Sequence, residues 1–338
     1  MGGRRLTEMV VHSSRAGRWA WLIAVLVSLA ACGGDGAASP QVTLAPLIPA
    51  PATASATTST LAATTSTSTT STTTTTVASS TTTTAISTAT TPVATLDPAQ
   101  PPHIDAAAYA VYDVGSQRWL AELDADTPRP VGSLMKLLTA FVVMQAGDPA
   151  HVATVPAMHL EPAESAIGLY EGQRLQRDVL LRAELIVSAN DAARTLALDV
   201  GGTEEGFVAM MNQAAQALGM VDTVAVNSVG LDAEGAHSSP RDMVVIATIL
   251  MDDPTFRATV ARTDARMNGQ HFNATNKLLT SYQGATGVKT GHTTDAGYCL
   301  VGSATRGDRS VIVAVLGAPS DTARIGGASA LLDWAFDH

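Results

Sequence analysis

A serine and a lysine three residues apart, Ser133 and Lys136, open an otherwise apolar run, Leu137-Leu-Thr-Ala-Phe-Val-Val-Met144. A serine hydroxyl becomes a useful nucleophile only when a base takes its proton. The chain has no Gly-x-Ser-x-Gly elbow and no evident His–Asp pair, so Lys136 is the base on offer, provided it is neutral. Bringing a lysine from ~10.4 to near 7 costs ~4.6 kcal/mol. A helix N-terminus supplies only ~0.3–1 kcal/mol of that, so burial and a second cation must do most of it. Lys289, in the tripeptide Lys289-Thr290-Gly291, is the second cation the sequence provides. Between the two lies Ser188-Ala189-Asn190, a hydroxyl able to relay a proton and an amide able to hold a peptide group. The chemistry these residues suit is acyl transfer through a covalent serine ester.

Each of these residues needs an element to aim it. Pro128 and Pro130 keep the chain extended to about Val131, and a helix is expected from there to Gln145, where Gly147 and Pro149 stop it. Ser133 then sits on the first turn with Lys136 on the same face. Residues 147–175 read as mixed loop. Arg177–Val187 reads as a helix, broken at Ser188–Asn190 and resumed over Asp191–Val200. Thr203–Leu218 is a helix with Thr203 as its N-cap, and Ser239-Pro240-Arg241-Asp242 opens another that runs to Met251. Strands are expected at Tyr109–Asp113 and Trp119–Leu123, a hairpin around Gly115-Ser116. Three more follow at Thr286–His292, Gly297–Ala304 and Ser310–Gly317, the last two joined by a turn at Arg306-Gly307-Asp308. A helix over Ala323–Phe336 closes the chain. The fold class is therefore α/β (α+β): one antiparallel sheet flanked by helices, with an inserted helical subdomain and a cleft between them.

The segment before this domain has a different composition. Arg4, Arg5, Arg15 and Arg18 precede a thirteen-residue apolar run, Trp19–Ala31. That run is shorter than the ~20 residues a membrane helix needs and reads as an export signal over residues 1–31. Leu29-Ala30-Ala31-Cys32 resembles a bacterial lipobox, which predicts lipidation of Cys32 and an extracytoplasmic protein anchored to the cell membrane. Residues 32–102 then form a Thr/Ser-rich linker with too little apolar surface to fold. About sixty such residues span roughly 45 Å. The catalytic domain is expected over 103–338. The net charge of -10 excludes nucleic acid as a natural partner. Cys32 and Cys299 fall in very different segments, which argues against a disulfide, and Cys299 reads as a buried small hydrophobe. The histidine spacing offers no ligand set, so neither a metal nor another cofactor is expected.

Ser133-x-x-Lys136, Ser188-x-Asn190 and Lys289-Thr290-Gly291, in this order, resemble the three motifs of penicillin-binding proteins and serine β-lactamases. The segments 227–243 and 274–304 and the closing Leu-Leu-Asp-Trp-Ala-Phe are similar to the low-molecular-mass D-alanyl-D-alanine carboxypeptidases, over about 107–336. The resemblance implies a β-lactamase/transpeptidase-like fold and a serine acyl-enzyme that removes the terminal D-Ala of peptidoglycan stem pentapeptides and is inhibited by β-lactams. By the same resemblance, Ser133 is the nucleophile, Lys136 its base and Ser188 the relay. Asn190 holds the substrate amide and the Lys136 amine. Lys289 and Thr290 receive the terminal carboxylate, and Gly291 lets the substrate lie close to its strand; Arg241 and Arg324 match positions near that carboxylate, though each reads equally well as a structural ion pair. The backbone N–H groups of Ser133 and His292 bind the oxyanion. Relatives often carry a further β-rich domain and a C-terminal membrane helix; the lipid on Cys32 would replace them as anchor. A class A-like β-lactamase is the alternative in the same fold, but its Glu-x-x-Leu-Asn segment is missing. An idle wall-binding lipoprotein is the alternative outside enzymology, and D,D-endopeptidase activity would use the same residues.

Overall fold

The structure, a computed structural model, describes residues 100–338. The expected signal peptide, Cys32 and nearly all of the linker lie outside the described residues.

The chain begins with β1 (Ala108–Asp113) and β2 (Arg118–Leu123), the hairpin expected, with a bulge at Val111/Tyr112. A single 3-10 turn, Gly132–Met135, leads directly into α1 (Lys136–Gln145), buried on almost every side as its apolar sequence requires. Residues 147–175 are less irregular than expected, because β3 (Val152–Thr154) pairs with β4 (Arg174–Gln176). Then come α2 (Arg177–Arg182), a π-helical turn (Ala183–Val187), α3 (Asn190–Gly201) and α4 (Glu204–Ala217). Thr203 caps α4 by accepting the Gly206 N–H at 3.0 Å. Ser239 caps α5 (Pro240–Met251) by accepting the Asp242 N–H at 3.2 Å. Both caps are those the sequence predicts.

Besides β3 and β4, four short elements escape the sequence reading: α6 (Pro254–Val260), β5 (Asp264–Met267), β6 (Gln270–Asn273) and α7 (Leu278–Ser281). The hairpin of β5 and β6 turns on Asn268-Gly269, both at positive φ. That dipeptide is a strong hairpin signal by itself. The chain ends with β7 (Ala285–Thr293), β8 (Gly297–Arg306), β9 (Arg309–Ala318) and α8 (Asp321–Asp337).

The five long strands form one antiparallel sheet in the order β2-β1-β9-β8-β7. Its two faces are both covered. Val311, Val313 and Val315 point with Tyr109, Val111 and Leu300 towards Ala328, Leu331, Leu332 and Ala335 of α8. Ile312, Ala314 and Leu316 point the other way, into the larger core built by α1, α3, α4 and α5. That is why β9 reads as a continuous apolar run instead of an alternating one. The edge strand β7 packs against the turn that carries Ser133.

Candidate active site

The site begins with a backbone contact. Gly132 has φ +56°, and a Cβ there would lie 2.9 Å from the His292 nitrogen. Across the same contact a side chain at Gly291 would strike the Val131 carbonyl and crowd Leu134. Both glycines therefore let the turn before α1 lie against β7. At Gly291 the missing side chain admits the Ser133 turn, a close approach that the sequence did not foretell. The contact also brings the backbone of Ser133 beside His292, whose exposed ring lies 4.1 Å from that of Tyr298.

Ser133 is half-buried, and Lys136 is wholly buried with its Nζ 2.9 Å from Ser133 Oγ. The amine also donates to the Val229 carbonyl at 2.7 Å. That carbonyl is presented by a tight turn in which Asn227 Oδ1 accepts the N–H groups of Val229, Gly230 and Leu231. Burial pushes the Lys136 ammonium down to about 7; Glu184 opposes this, Arg194 adds to it and Glu164 opposes it. Arg194 is thus a further cation beside Lys136, and Lys289, the expected one, faces it as well. The repulsion between the two lysines is mutual, and Lys289 is held well below its ordinary value by burial first and Lys136 second.

Ser188 closes the π-helical turn in the left-handed region, φ +65°. That conformation breaks the helix and turns the hydroxyl towards β7, where Lys289 Nζ donates to it at 2.9 Å. Lys289 also donates to the Thr290 carbonyl at 2.8 Å, and the Thr290 hydroxyl donates to Thr275 Oγ1 at 2.7 Å. Asn190 opens α3 and its side-chain amide donates to Glu164 Oε2 at 2.6 Å. Glu164 is paired in turn with Arg194 at 2.9 Å. Asn190 therefore does not hold the Lys136 amine; Val229 does, and Glu164 occupies the asparagine.

The two arginines part company. Arg324 sits against the site, but its guanidinium donates to the carbonyls of Gly291 at 2.8 Å and Cys299 at 3.0 Å and pairs with Asp321. It braces β7 against β8 and adds to the positive field at Lys289. Arg241 is held by Glu122 at 2.6 Å and Asp126 at 2.5 Å, with its guanidinium 4.4 Å from the Trp119 ring. Of the two readings open for it, the structure shows the ion pair. Cys299 is buried as expected, its thiol pushed up to about 11 by burial.

The sequence reading passed over Val229, Glu164 and Glu184. Asn227 followed by Gly230 was a visible turn signal for the first. A single acid in the apolar stretch Ala183-Glu184-Leu185-Ile186-Val187 called for the reasoning applied to Lys136, because a charge there is expensive unless it works. Among the described residues no three His, Cys, Asp or Glu side chains converge on a metal position. The assembled groups suit a nucleophile with a neutral amine base, a hydroxyl relay and a cationic strand edge.

A family model described as D-alanyl-D-alanine carboxypeptidase matches residues 95–320. The chain is 34% identical over 251 residues to the D-alanyl-D-alanine carboxypeptidase DacA of Escherichia coli (strain K12), covering 70% of this chain and 62% of that relative. It thus spans somewhat less than two thirds of DacA's length. The crystal structure of penicillin-binding protein 6B from Escherichia coli superposes with a TM-score of 0.66 at 33% identity, over 70% of this chain and 78% of that one. Penicillin-binding protein D2 from Listeria monocytogenes, in its cefotaxime-bound form, gives 0.64 at 33% identity, over 70% of this chain and 100% of that one.

Proposed function

The chain belongs to the D-alanyl-D-alanine carboxypeptidase family, and on that premise we propose that it is a serine peptidase removing the terminal D-Ala from peptidoglycan stem pentapeptides. The observation that carries the reading is Lys136: wholly buried, 2.9 Å from Ser133 Oγ, and brought by burial to about 7. A neutral amine at that distance can take the hydroxyl proton at ordinary pH.

Ser133 Oγ then attacks the carbonyl carbon of the penultimate D-Ala. The oxyanion lies towards the backbone N–H groups of Ser133 and His292. As the C–N bond breaks, the proton held by Lys136 passes through the Ser188 hydroxyl to the leaving nitrogen. Lys289 and the Thr290 hydroxyl meet the terminal carboxylate of the departing D-Ala. Water, deprotonated by Lys136, releases the shortened peptide from Ser133.

A β-lactam acylates the same serine, as its family and the cefotaxime-bound Listeria relative support. Its leaving amine stays tethered by the second ring and obstructs the water, so the penicilloyl enzyme should be long-lived. We further place the protein outside the cytoplasm, held to the membrane by a lipid on Cys32, because basic residues, a short apolar run and Leu-Ala-Ala-Cys precede the linker. Mass spectrometry of a purified pentapeptide after incubation with the enzyme tests the activity: repeated loss of one D-Ala is expected. Penicillin hydrolysed in steady state faster than D-Ala is released would name a β-lactamase instead. Cys32→Ala should free the protein from membranes or stall its processing, and a correctly cleaved variant that stays on the membrane would refute the anchor.

A further inference from the structure

Glu184 lies wholly buried in the π-helical turn immediately before Ser188, and neither carboxyl oxygen has a hydrogen-bond partner among the described residues. The charges acting on it are Lys136 and Lys289. Both lysines are wholly buried as well. Three ionisable groups from α1, the π-helical turn and β7 thus share one dry space without a direct ion pair. We propose that Glu184 is a positioning residue for the reaction: the buried counter-charge that lets Lys289 keep a proton while Lys136 remains free to act as base.

Electrostatics leaves few other arrangements. Two ammonium groups in a dry interior repel each other, and burial favours the neutral form of each. Without an anion nearby both lysines tend towards neutrality, and the edge of β7 loses the charge that a substrate carboxylate needs. An ionised Glu184 with one protonated lysine keeps the cluster neutral overall. Each amine donates to one hydroxyl and one carbonyl, but the hydroxyl beside Lys136 is the nucleophile whose proton Lys136 must take, so the retained proton belongs on Lys289. When Lys136 takes the Ser133 proton, positive charge develops on it, and the same carboxylate stabilises that charge. Burial pushes the Glu184 carboxyl up to about 8, with both lysines pulling it back, so its charge is coupled to the protons the two amines hold.

Other charges near the turn are engaged elsewhere. Asp191 accepts the Ile167 and Leu169 N–H groups, and Arg194 pairs with Glu164. Arg177 pairs with Asp199, Asp178 with Arg182, and Asp264 with His271, while Arg257 and Arg266 are exposed. Arg324, across β7, acts on Lys289.

The role rests on Lys136 being the base, as proposed above, and the test separates the two. The second-order rate of acylation by labelled penicillin is measured on the full chain from pH 5 to 10, for wild type, Glu184→Gln and Glu184→Asp. A wild type that is never labelled, or a Ser133→Ala variant that is, would overturn the catalytic reading and this role with it. With wild type labelled at Ser133, both limbs of the profile should move to lower pH in Glu184→Gln by about one unit, the effect of losing one opposite charge nearby. Glu184→Asp, which keeps the charge, should fall between the two. Profiles of unchanged shape, merely lower in height, would make Glu184 structural and overturn the proposal alone. Should Glu184→Gln not fold, Glu184→Met fills the space without polar atoms and should show the same shift. Failure of both to fold would assign the residue to the fold and refute the proposal.

Discussion

Two clusters of cations and carboxylates sit in this molecule under opposite conditions. Around Arg241 everything is paired and partly wet: Glu122 and Asp126 bracket the guanidinium, Trp119 lies beneath it, and the side chains are 30%, 34% and 62% exposed. In the cleft, Lys136, Lys289 and Glu184 are at 0% exposure, and the carboxyl bonds to nothing. Satisfied surface pairs contribute little and change little. Dry, unpaired ionisable groups sit near their switching points, where a proton can move for a small change in surroundings. The first cluster fastens β2 to the start of α5. The second has the capacity for chemistry.

The sharpest way to test the contrast is Ser133→Ala, which removes the acceptor of the acyl group. Release of D-Ala from a pentapeptide should fall by about 10⁴ or more, and labelled penicillin should no longer attach. Lys136→Met should lower acylation by about 10³, the scale of a lost general base. Its thermal midpoint should hold or rise, because a buried amine is replaced by an apolar chain of similar length; a collapse of the fold would mean the amine is structural.

Lys289→Ala should cost about 10²-fold in kcat/KM, as expected for a lost hydrogen bond to a charged group. In that variant, amidating the substrate's terminal carboxylate should carry a much smaller penalty than in wild type. An undiminished penalty would move the recognition of the carboxylate to Arg324. A smaller effect follows from the lowered basicity of Lys136. Its ammonium is lowered to about 7, so the base is free above that pH and occupied below it. Acylation by penicillin should therefore fall about fivefold between pH 7 and pH 6 and approach a tenfold fall per unit at lower pH. A flat acid side would show that some other group takes the proton. Least of all should follow from Arg241→Met: activity unchanged and a stability loss of at most about 1 kcal/mol, read from thermal melting. A substantial loss of activity there would dissolve the contrast.

Much of this arrangement was legible in local sequence. Apolar period, caps and turns placed α1, α4, α5, the five long strands and α8, and the three motifs named the side chains that the structure brings together. What stayed hidden depends on pairings between distant residues. No local pattern says that the Lys136 amine rests on Val229, ninety-three positions away, or that Glu164 takes Asn190. Gly291 could be recognised as a place of close approach, but not which backbone approaches it. Glu184 and Asn268-Gly269 are different, for both carried signals that chemistry and turn geometry make readable. Arg241 stayed open because a cation near a motif looks the same in sequence whether it meets a ligand or an aspartate.

The pairing of β1 with β9 has a consequence in time. Ala108–Asp113 pairs with β2 on one side, but its other partner is Val311–Leu316, so the middle of the sheet cannot close before the last tenth or so of the chain exists. Lys289 and Ser188 likewise meet across about a hundred positions. Such long-range closure is slow and comes late in folding. A growing or partly folded chain therefore carries its serine for most of its synthesis without the base, relay and strand edge that would arm it. Reactivity arrives in one late event, when the last strand slides between the first and the eighth.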